Sequence, residues 1–545
     1  MASIFIGKRM AILRISLILG GILMLTVHCF AGDHFIVGDR GDSLGHVTPT
    51  RLEVVQRHGT VAWDVSLYGM GGSDGRLPFW AVTNRRGLFP QSLGPSAPGS
   101  RDGGRFTGGG LVTGGADVSY ITRSGIVLDG GLSLAGYGAP GDWNGMVDRM
   151  YFGLGWKKLH LDIGMRDREY DFAGLSLTGG DVAYSGNARN LPGYNLHTDY
   201  IWLPFRKKVV AFKANFADYG MWDRRFVEHT LVHNESLFIK VRPFRRLDIS
   251  LGLEMWSQWA GYSPQYGEQP DGFTDYLRVL VGASGGDDAL KGDQDNVLGN
   301  HLGRELIRLD WHADRFTVTF QHDIPFEDKS GMRFQNFPDG VNTLALSFKD
   351  EDRWVSDVLY EFVYTRDQSG PLHDRPATED EMEANGGVGY TILGGEDNYF
   401  NNGVYRSGWT YHGMTVGLPL AYPMYEGDDG IVMGVASNSL VAHHFGIRGR
   451  AAHKIPYRFL FTWSRHYGRT RYFDQDQAWR FEGHPQQFSI ALEGEVPGGI
   501  MCRAGSDAAM LSLGIGLYAD FGKVFPDSFG VTVRLSCGGV SRFGK

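Results

Sequence analysis

The feature that most constrains this chain is a period-two alternation of apolar and polar residues, repeated along most of its length. Arg315 to Gln321 reads RFTVTFQ, with Phe316, Val318 and Phe320 on one face and Arg315, Thr317, Thr319 and Gln321 on the other. Leu247, Ile249, Leu251, Leu253 and Met255 alternate with Asp248, Ser250 and Glu254. Tyr457, Phe459, Phe461 and Trp463 repeat the pattern, as do Phe529, Val531, Val533 and Leu535. Strict alternation means strands with one apolar and one polar face. About eighteen such segments can be drawn. They lie at roughly 61–69, 116–122, 126–137, 148–156, 158–166, 208–218, 236–243, 247–257, 303–312, 315–323, 342–349, 354–365, 407–417, 440–450, 456–467, 487–495, 509–520 and 528–543.

Two all-β architectures share this alternation. In a sandwich the apolar faces of two sheets meet. In a membrane barrel the apolar face meets lipid and the polar face lines the lumen. Strand length favours the barrel, because many segments approach the ~9–11 residues that a tilted membrane strand needs. Aromatic residues gather near strand ends, as Trp354 and Tyr364 or Tyr457 and Tyr467 do, in the manner of interfacial girdles. Closure also removes the edges that a sheet of this size would expose. The expected fold is therefore all-β: a large transmembrane antiparallel β-barrel of about 18 strands.

The N-terminus is a different kind of sequence. Lys8, Arg9 and Arg14 precede an apolar run from Ile15 to Val27, and Cys29-Phe30-Ala31 offers small residues at the positions a signal peptidase reads. Residues 1–31 are expected to be a signal peptide cleaved after Ala31, leaving 32–545 as one barrel domain. His28 is too bulky for a lipoprotein signal at Cys29. Cleavage would take the net charge from −8 to near −11, which excludes a nucleic-acid footprint. Cys502 and Cys537 would then be the remaining cysteines, read as unpaired small residues although export permits a disulfide. No later run approaches the ~18 apolar residues of a membrane helix. Residues 32–60 and 70–115, rich in Gly, Pro, Arg and Asp, read as non-strand segments able to block a lumen. Trp222 to Glu235 (WDRRFVEHTLVHNE) reads as a short helix, from the spacing of Trp222, Phe226, His229 and His233.

Several stretches resemble the Wzi-type capsule assembly family. They are LPFWAVTNRRG (Leu77–Gly87), YSGNARNLPGY (Tyr184–Tyr194), LGNHLG (Leu298–Gly303), PFEDKSGMRFQNFPDG (Pro325–Gly340), LYEFVYTRDQSGP (Leu359–Pro371) and DNYFNNGVYRSGWTYHG (Asp397–Gly413). They keep the family's order and span most of residues 60–470. The resemblance implies an eighteen-stranded outer-membrane barrel with a small helical and coil plug on the periplasmic side. It also implies a lectin-like role in holding capsular polysaccharide or exopolysaccharide at the cell surface. The implied partners are that polysaccharide, outer-membrane lipid and the polysaccharide export machinery, and no cofactor is implied. It assigns no individual glycan contacts.

The last of these stretches mixes rings with amides. Sugars present an apolar C–H face and a rim of hydroxyls, so Tyr405 and Trp409 are candidates to stack, and Asn401, Asn402 and Arg406 to bond the rim. Arg333, Asn336 and Asp339 are added from the 325–340 stretch. The competing reading makes the rings an interfacial girdle and Asn402-Gly403 a strand-capping turn. Glu327, Asp328 and Asp339 invite comparison with a glycosidase pair, but carboxylates and arginines in a lumen also form structural ladders.

Other motifs carry little chemistry. Ser73 in GGSDG lacks the strand–turn–helix setting of a nucleophile elbow. Arg40-Gly41-Asp42 reads as a turn. Asp287, Asp288, Asp293 and Asp295 lack EF-hand spacing and read as a solvated loop. His443 and His444 on one strand would face opposite ways. The sequence thus points to a non-enzymatic, metal-free binding protein, with a solute channel or an outer-membrane enzyme as alternatives.

Overall fold

The computed structural model describes residues 59–543 apart from 74–75, 90–106, 140–141, 205–207, 296, 329–330, 371–374, 385, 390, 393–396, 426–429, 470–480, 482 and 505–506. The signal segment, the Arg40–Asp42 tripeptide and the side chain of Cys502 lie outside the described residues.

Eighteen antiparallel strands close on themselves. They are β1 (Gly59–Gly72), β2 (Thr107–Ile121), β3 (Ile126–Ala139), β4 (Asp142–Trp156), β5 (Leu159–Met165), β6 (Gly193–Thr198, continuing at Ile201–Trp202), β7 (Val210–Gly220), β8 (Leu231–Phe244) and β9 (Leu247–Trp259). The second half is β10 (Asn300–His312), β11 (Phe316–Phe326), β12 (Gly340–Phe348), β13 (Asp357–Tyr364), β14 (Leu440–Ala451), β15 (Ile455–His466), β16 (Gln486–Ala504), β17 (Asp507–Gly522) and β18 (Ser528–Phe543). Each strand pairs with its sequence neighbours. The ring closes where β1 runs against β18, from Gly59 opposite Phe543 to Gly72 opposite Gly530. No helix among the described residues is long and apolar enough to cross a membrane.

Register turns the alternation into two surfaces. Leu251, Ile307, His322 and Asn342 fall on one side of their strands, with Leu237, Leu253, Leu309, Phe320 and Leu344, which are all exposed. The opposite parity places Glu254, Arg304, Asp323, Thr343, Glu361, His444, Thr462 and Glu493 inside, all buried. An apolar belt outside and a polar lining inside is the pattern of a membrane barrel. His443 and His444 do face opposite ways: His443 meets Tyr360 on the outer face at 2.8 Å, and His444 Nε2 lies 2.6 Å from the Leu175 carbonyl inside.

The connections are unequal. Both described termini and tight turns such as 157–158, 245–246 and 313–315 share one end. The other end carries long connections, including 73–106, 166–192, 260–299 and 365–439. Short turns mark the periplasmic end of such barrels and long loops the extracellular end.

Three sequence expectations are corrected here. The 407–417 segment is not a wall strand. It forms two short strands, Thr410–Tyr411 and Met414–Thr415, that pair only with each other. The wall strand it displaces in the count is β6. Gly193–Thr198 is too short, and too broken at Asp199-Tyr200, to show as alternation. Trp222–Glu235 is not a helix. Residues 221–230 are an irregular loop, and β8 begins at Leu231, because pairing to both β7 and β9 outweighs a local 3.6-residue spacing.

Among the described residues the plug is mostly coil and enters from the long-loop end; residues 32–58, expected to contribute to it, lie outside the described residues. The first piece is Leu77–Phe89, with a four-residue helix α1 (Phe79–Val82). Phe79 N donates to Asp520 Oδ2 at 2.8 Å, and Trp80 Nε1 to Thr462 Oγ1 at 3.1 Å. The second piece is 172–192. Leu177 N donates to Glu361 Oε2 at 2.8 Å and Val182 N to Asp323 Oδ2 at 2.8 Å, while the Gly180 carbonyl accepts from Arg304 at 2.7 Å. The third piece is 397–422. Ser185 N donates to the Val416 carbonyl at 2.8 Å, and Asn187 Nδ2 to the Thr415 carbonyl at 3.0 Å. A coil can be buried only where its backbone groups find partners, and the polar lumen wall supplies them.

Candidate functional site

The predicted glycan residues separate into two groups. Trp409 is 1 % exposed. Its indole N–H donates to the Ala183 carbonyl at 2.6 Å, and its ring packs against Trp256 of the wall. Tyr405 is buried, and its hydroxyl donates to the Ala260 carbonyl at 3.2 Å. Asn401 is buried and accepts from Val435 N at 2.8 Å. Asn336 is buried and donates to the Pro325 carbonyl, and buried Asp339 accepts from the backbone N–H groups of Asp367 and Gln368 at 2.9 and 2.7 Å. These five are plug and loop scaffolding, and neither Trp409 nor Tyr405 presents a face to a ligand arriving from outside. The interfacial-girdle alternative also fails for them, because Trp409 lies in the lumen core and Tyr405 is buried against the start of the β9–β10 connection.

The remaining three reach the surface. Arg333 is exposed at the tip of the β11–β12 connection, beside the exposed rings of Phe334 and Phe337. Asn402 is half-buried, and its Oδ1 accepts from Val404 N and Tyr405 N at 2.8 and 3.0 Å, fixing the turn. Half-buried Arg406 lies over the Phe226 ring at 5.2 Å.

Phe226 leads to a site that sequence reading missed. The β7–β8 loop is held from below by the 397–413 stretch. Phe226 N donates to Ser407 Oγ at 2.8 Å, buried Arg225 donates to the carbonyls of Gly408 and Thr410 at 3.3 Å, and His412 N donates to Asp223 Oδ2 at 3.1 Å. Above this floor the loop rims a cavity of about 440 Å³, lined by Met221, Trp222, Asp223, Arg224, Glu228 and His229 among others. Trp222 is 71 % exposed, and Arg224, Glu228 and His229 are exposed as well. An accessible indole next to a cation, carboxylates and an imidazole offers an apolar face with donors and acceptors around it. The signal was present in WDRR, but a helical reading of the stretch hid it.

Beneath the loops lies a group of carboxylates. Asp397 is buried, its Oδ2 accepts from Ser369 Oγ at 2.6 Å, and Glu327 accepts from Asn398 N at 2.8 Å. Burial, and then the charge of Asp328, push the Asp397 pKa up to about 7. Burial raises Asp339 to about 6 against the two backbone donors that favour its charge. A carboxyl whose pKa rises on folding holds its proton more tightly when folded. The stability it contributes is present below the unfolded pKa of ~4 and is lost as pH climbs through ~6–7. The barrel is therefore expected to melt at lower temperature at pH 8 than at pH 5.5. Asp397→Asn should lessen that difference without abolishing it, since Asp339 also contributes, and an unchanged pH profile in the variant would remove Asp397 as a source. Among the described residues no group of three or more His, Cys, Asp or Glu side chains is arranged to hold a metal ion. Ser73 Oγ accepts from Phe529 N at 2.9 Å, as a turn residue does.

No family model matches the chain, and no curated protein matches it. Its fold is similar to that of Wzi, described as an outer-membrane protein involved in group 1 capsule assembly in Escherichia coli and a carbohydrate-binding β-barrel. The identity is 13%, over 87% of this chain and 83% of that one, with a TM-score of 0.47. It is also similar to OprD of Pseudomonas aeruginosa (10% identity, 89% and 96% of the two chains, TM-score 0.38). A further similar barrel is OccAB4 of Acinetobacter baumannii (8% identity, 90% and 99%, TM-score 0.41). At these identities the likenesses assign no ligand to this chain.

Proposed function

We propose that this barrel binds surface polysaccharide at its extracellular loop face and helps to hold capsule or exopolysaccharide on the cell, without chemistry of its own. The observation that carries the reading is the division between lumen and loop face. Three plug segments are tied to the wall through buried hydrogen bonds, with hydrophobic packing between them. The surface chemistry suited to a sugar sits outside, around Trp222 and at Arg333, Phe334 and Phe337. A further exposed cation, Arg366, lies 3.8 Å over the Tyr467 ring at the same end. Cations on an otherwise acidic protein suit an anionic polysaccharide. The polysaccharide export machinery is a natural further partner for a protein in this role.

The test is binding of the strain's own surface polysaccharide to purified, reconstituted protein, with release of polysaccharide from a deletion strain as its cellular counterpart. Normal retention in the deletion strain and no binding in vitro would overturn the reading. The channel alternative is addressed by planar bilayers. A lumen tied in this way should pass little steady current, and large stable conductances would favour solute transport instead.

A further inference from the structure

The β9–β10 connection, residues 260–299, holds an amphipathic helix, α2 (Phe273–Leu280), whose location follows from strand parity. Asp218, His233 and Trp259 fall on the outward parity of β7, β8 and β9, in line with the exposed Leu237, Ile239, Leu251 and Leu253. The helix packs on these outward residues. Tyr276 donates to Asp218 Oδ2 at 2.9 Å, and its ring centroid lies 5.2 Å from that of Trp259 and 5.6 Å from that of His233. Val279, with Trp259, Ala289 and Leu298, forms a small apolar cluster separate from the lumen core. The helix therefore lies against the outside of the barrel near the extracellular strand ends, not across its mouth.

Its other face is bare. Phe273, Leu277 and Val281 recur every fourth residue and are 76, 46 and 75 % exposed. Asp275 and Arg278 pair at 2.7 Å. Between helix and wall lies a cavity of about 510 Å³, lined by Tyr194, Leu231, Trp259, Phe273 and Tyr276 among others. Tyr194 and Leu231 are themselves exposed, and Leu196 and Leu237 continue the same apolar surface down the wall. The bare stripe is thus continuous with the belt that meets lipid. A helix with one apolar face at that level is the arrangement that lies in a membrane interface.

We propose that α2 is seated in the outer leaflet, with Phe273, Leu277 and Val281 among the lipid acyl chains and the cavity beneath it taking the end of one chain. The proposal is independent of the ligand bound at the loop face. The full-length mature protein, with Cys502 and Cys537 replaced by serine, is spin-labelled singly at Val281→Cys, Phe273→Cys or Leu231→Cys and reconstituted in liposomes. Leu237→Cys serves as the lipid-facing reference and Arg333→Cys as the water-facing one. Folding of each variant is checked by its shift in gel mobility on boiling. Labels at 281, 273 and 231 should collide with oxygen as the 237 label does, and with a water-soluble nickel chelate at least several-fold less than the 333 label does. Nickel accessibility equal to that at 333 would place the stripe in water. Protection from both reagents would mean that protein, a second copy or another partner, covers it. Either result overturns the proposal, and agreement between position 273 in the helix and position 281 just past its end guards against a local effect of one substitution.

Discussion

Trp409→Ala is expected to destabilise the folded barrel by about 3–5 kcal/mol, the range found when a large buried aromatic is truncated. Trp409 joins two plug segments and the wall at once. Its indole N–H donates to Ala183, and its ring lies 5.8 Å from that of Trp256, which in turn stacks on Tyr184 at 4.8 Å. Truncation removes the packing and leaves the Ala183 carbonyl without that donor in a buried setting, where a lost partner is costly. The melting temperature, read by heat-modifiability on gels or by circular dichroism in detergent, should fall clearly below that of the wild type. The folded fraction should bind polysaccharide with unchanged affinity. Weakened binding with unchanged melting would instead return Trp409 to the ligand site and contradict its burial.

Trp222→Ala is expected to do the reverse. With 71 % of its surface exposed, Trp222 contributes little packing to lose, and surface substitutions of this kind usually shift stability by less than ~0.5 kcal/mol. A ring covering a sugar face is worth about 1–1.5 kcal/mol by analogy with other aromatic face contacts. Affinity for the strain's polysaccharide should therefore drop roughly ten-fold while melting and heat-modifiability stay as they were. Arg224→Ala should add to the loss at low salt and matter less at high salt, because an exposed charge is screened. Full affinity in a folded Trp222→Ala variant would remove this cavity from the binding face and leave the Arg333, Phe334 and Phe337 tip as the next place to test.

The two tryptophans show why composition misled and where it did not. Trp409, among rings, amides and glycines, reads as wet binding surface, and Trp222, in WDRRFVEH, reads as a helix position; the structure buries the first and exposes the second. Inside a wide barrel that look is unreliable, since the lumen wall carries Glu361, Asp323, Arg304 and Thr462. These give a folded-in loop the hydrogen-bond partners that water would otherwise supply. The same wall explains the arginines and carboxylates. Along the wall Arg304 meets Glu254 at 2.8 Å and Arg149 meets Asp117 at 2.7 Å, and Arg86 of the plug meets Asp148 of the wall at 2.8 Å.

What the sequence determined by itself is the wall. A side-chain period of two is local, and a slip of one residue would turn every apolar group of a strand from lipid to lumen. The alternation of Leu247–Met255, Phe316–Phe320 or Phe529–Leu535 therefore sets both strand identity and facing, and the opposition of His443 and His444 follows. Local pattern failed where pairing was decided at a distance. β6 is too short to declare itself, and its place is fixed by β5 and β7. The 221–235 segment is loop and strand because two neighbours claim its backbone. Only the tertiary structure decided which loops enter the lumen and which remain outside. That choice depends on whether a loop's backbone groups and rings match the wall across the barrel, as Trp409 matches Ala183 and Trp256 and as Trp222 matches nothing but the surface. Contacts between residues 226 or 153 positions apart leave no periodic trace in a sequence.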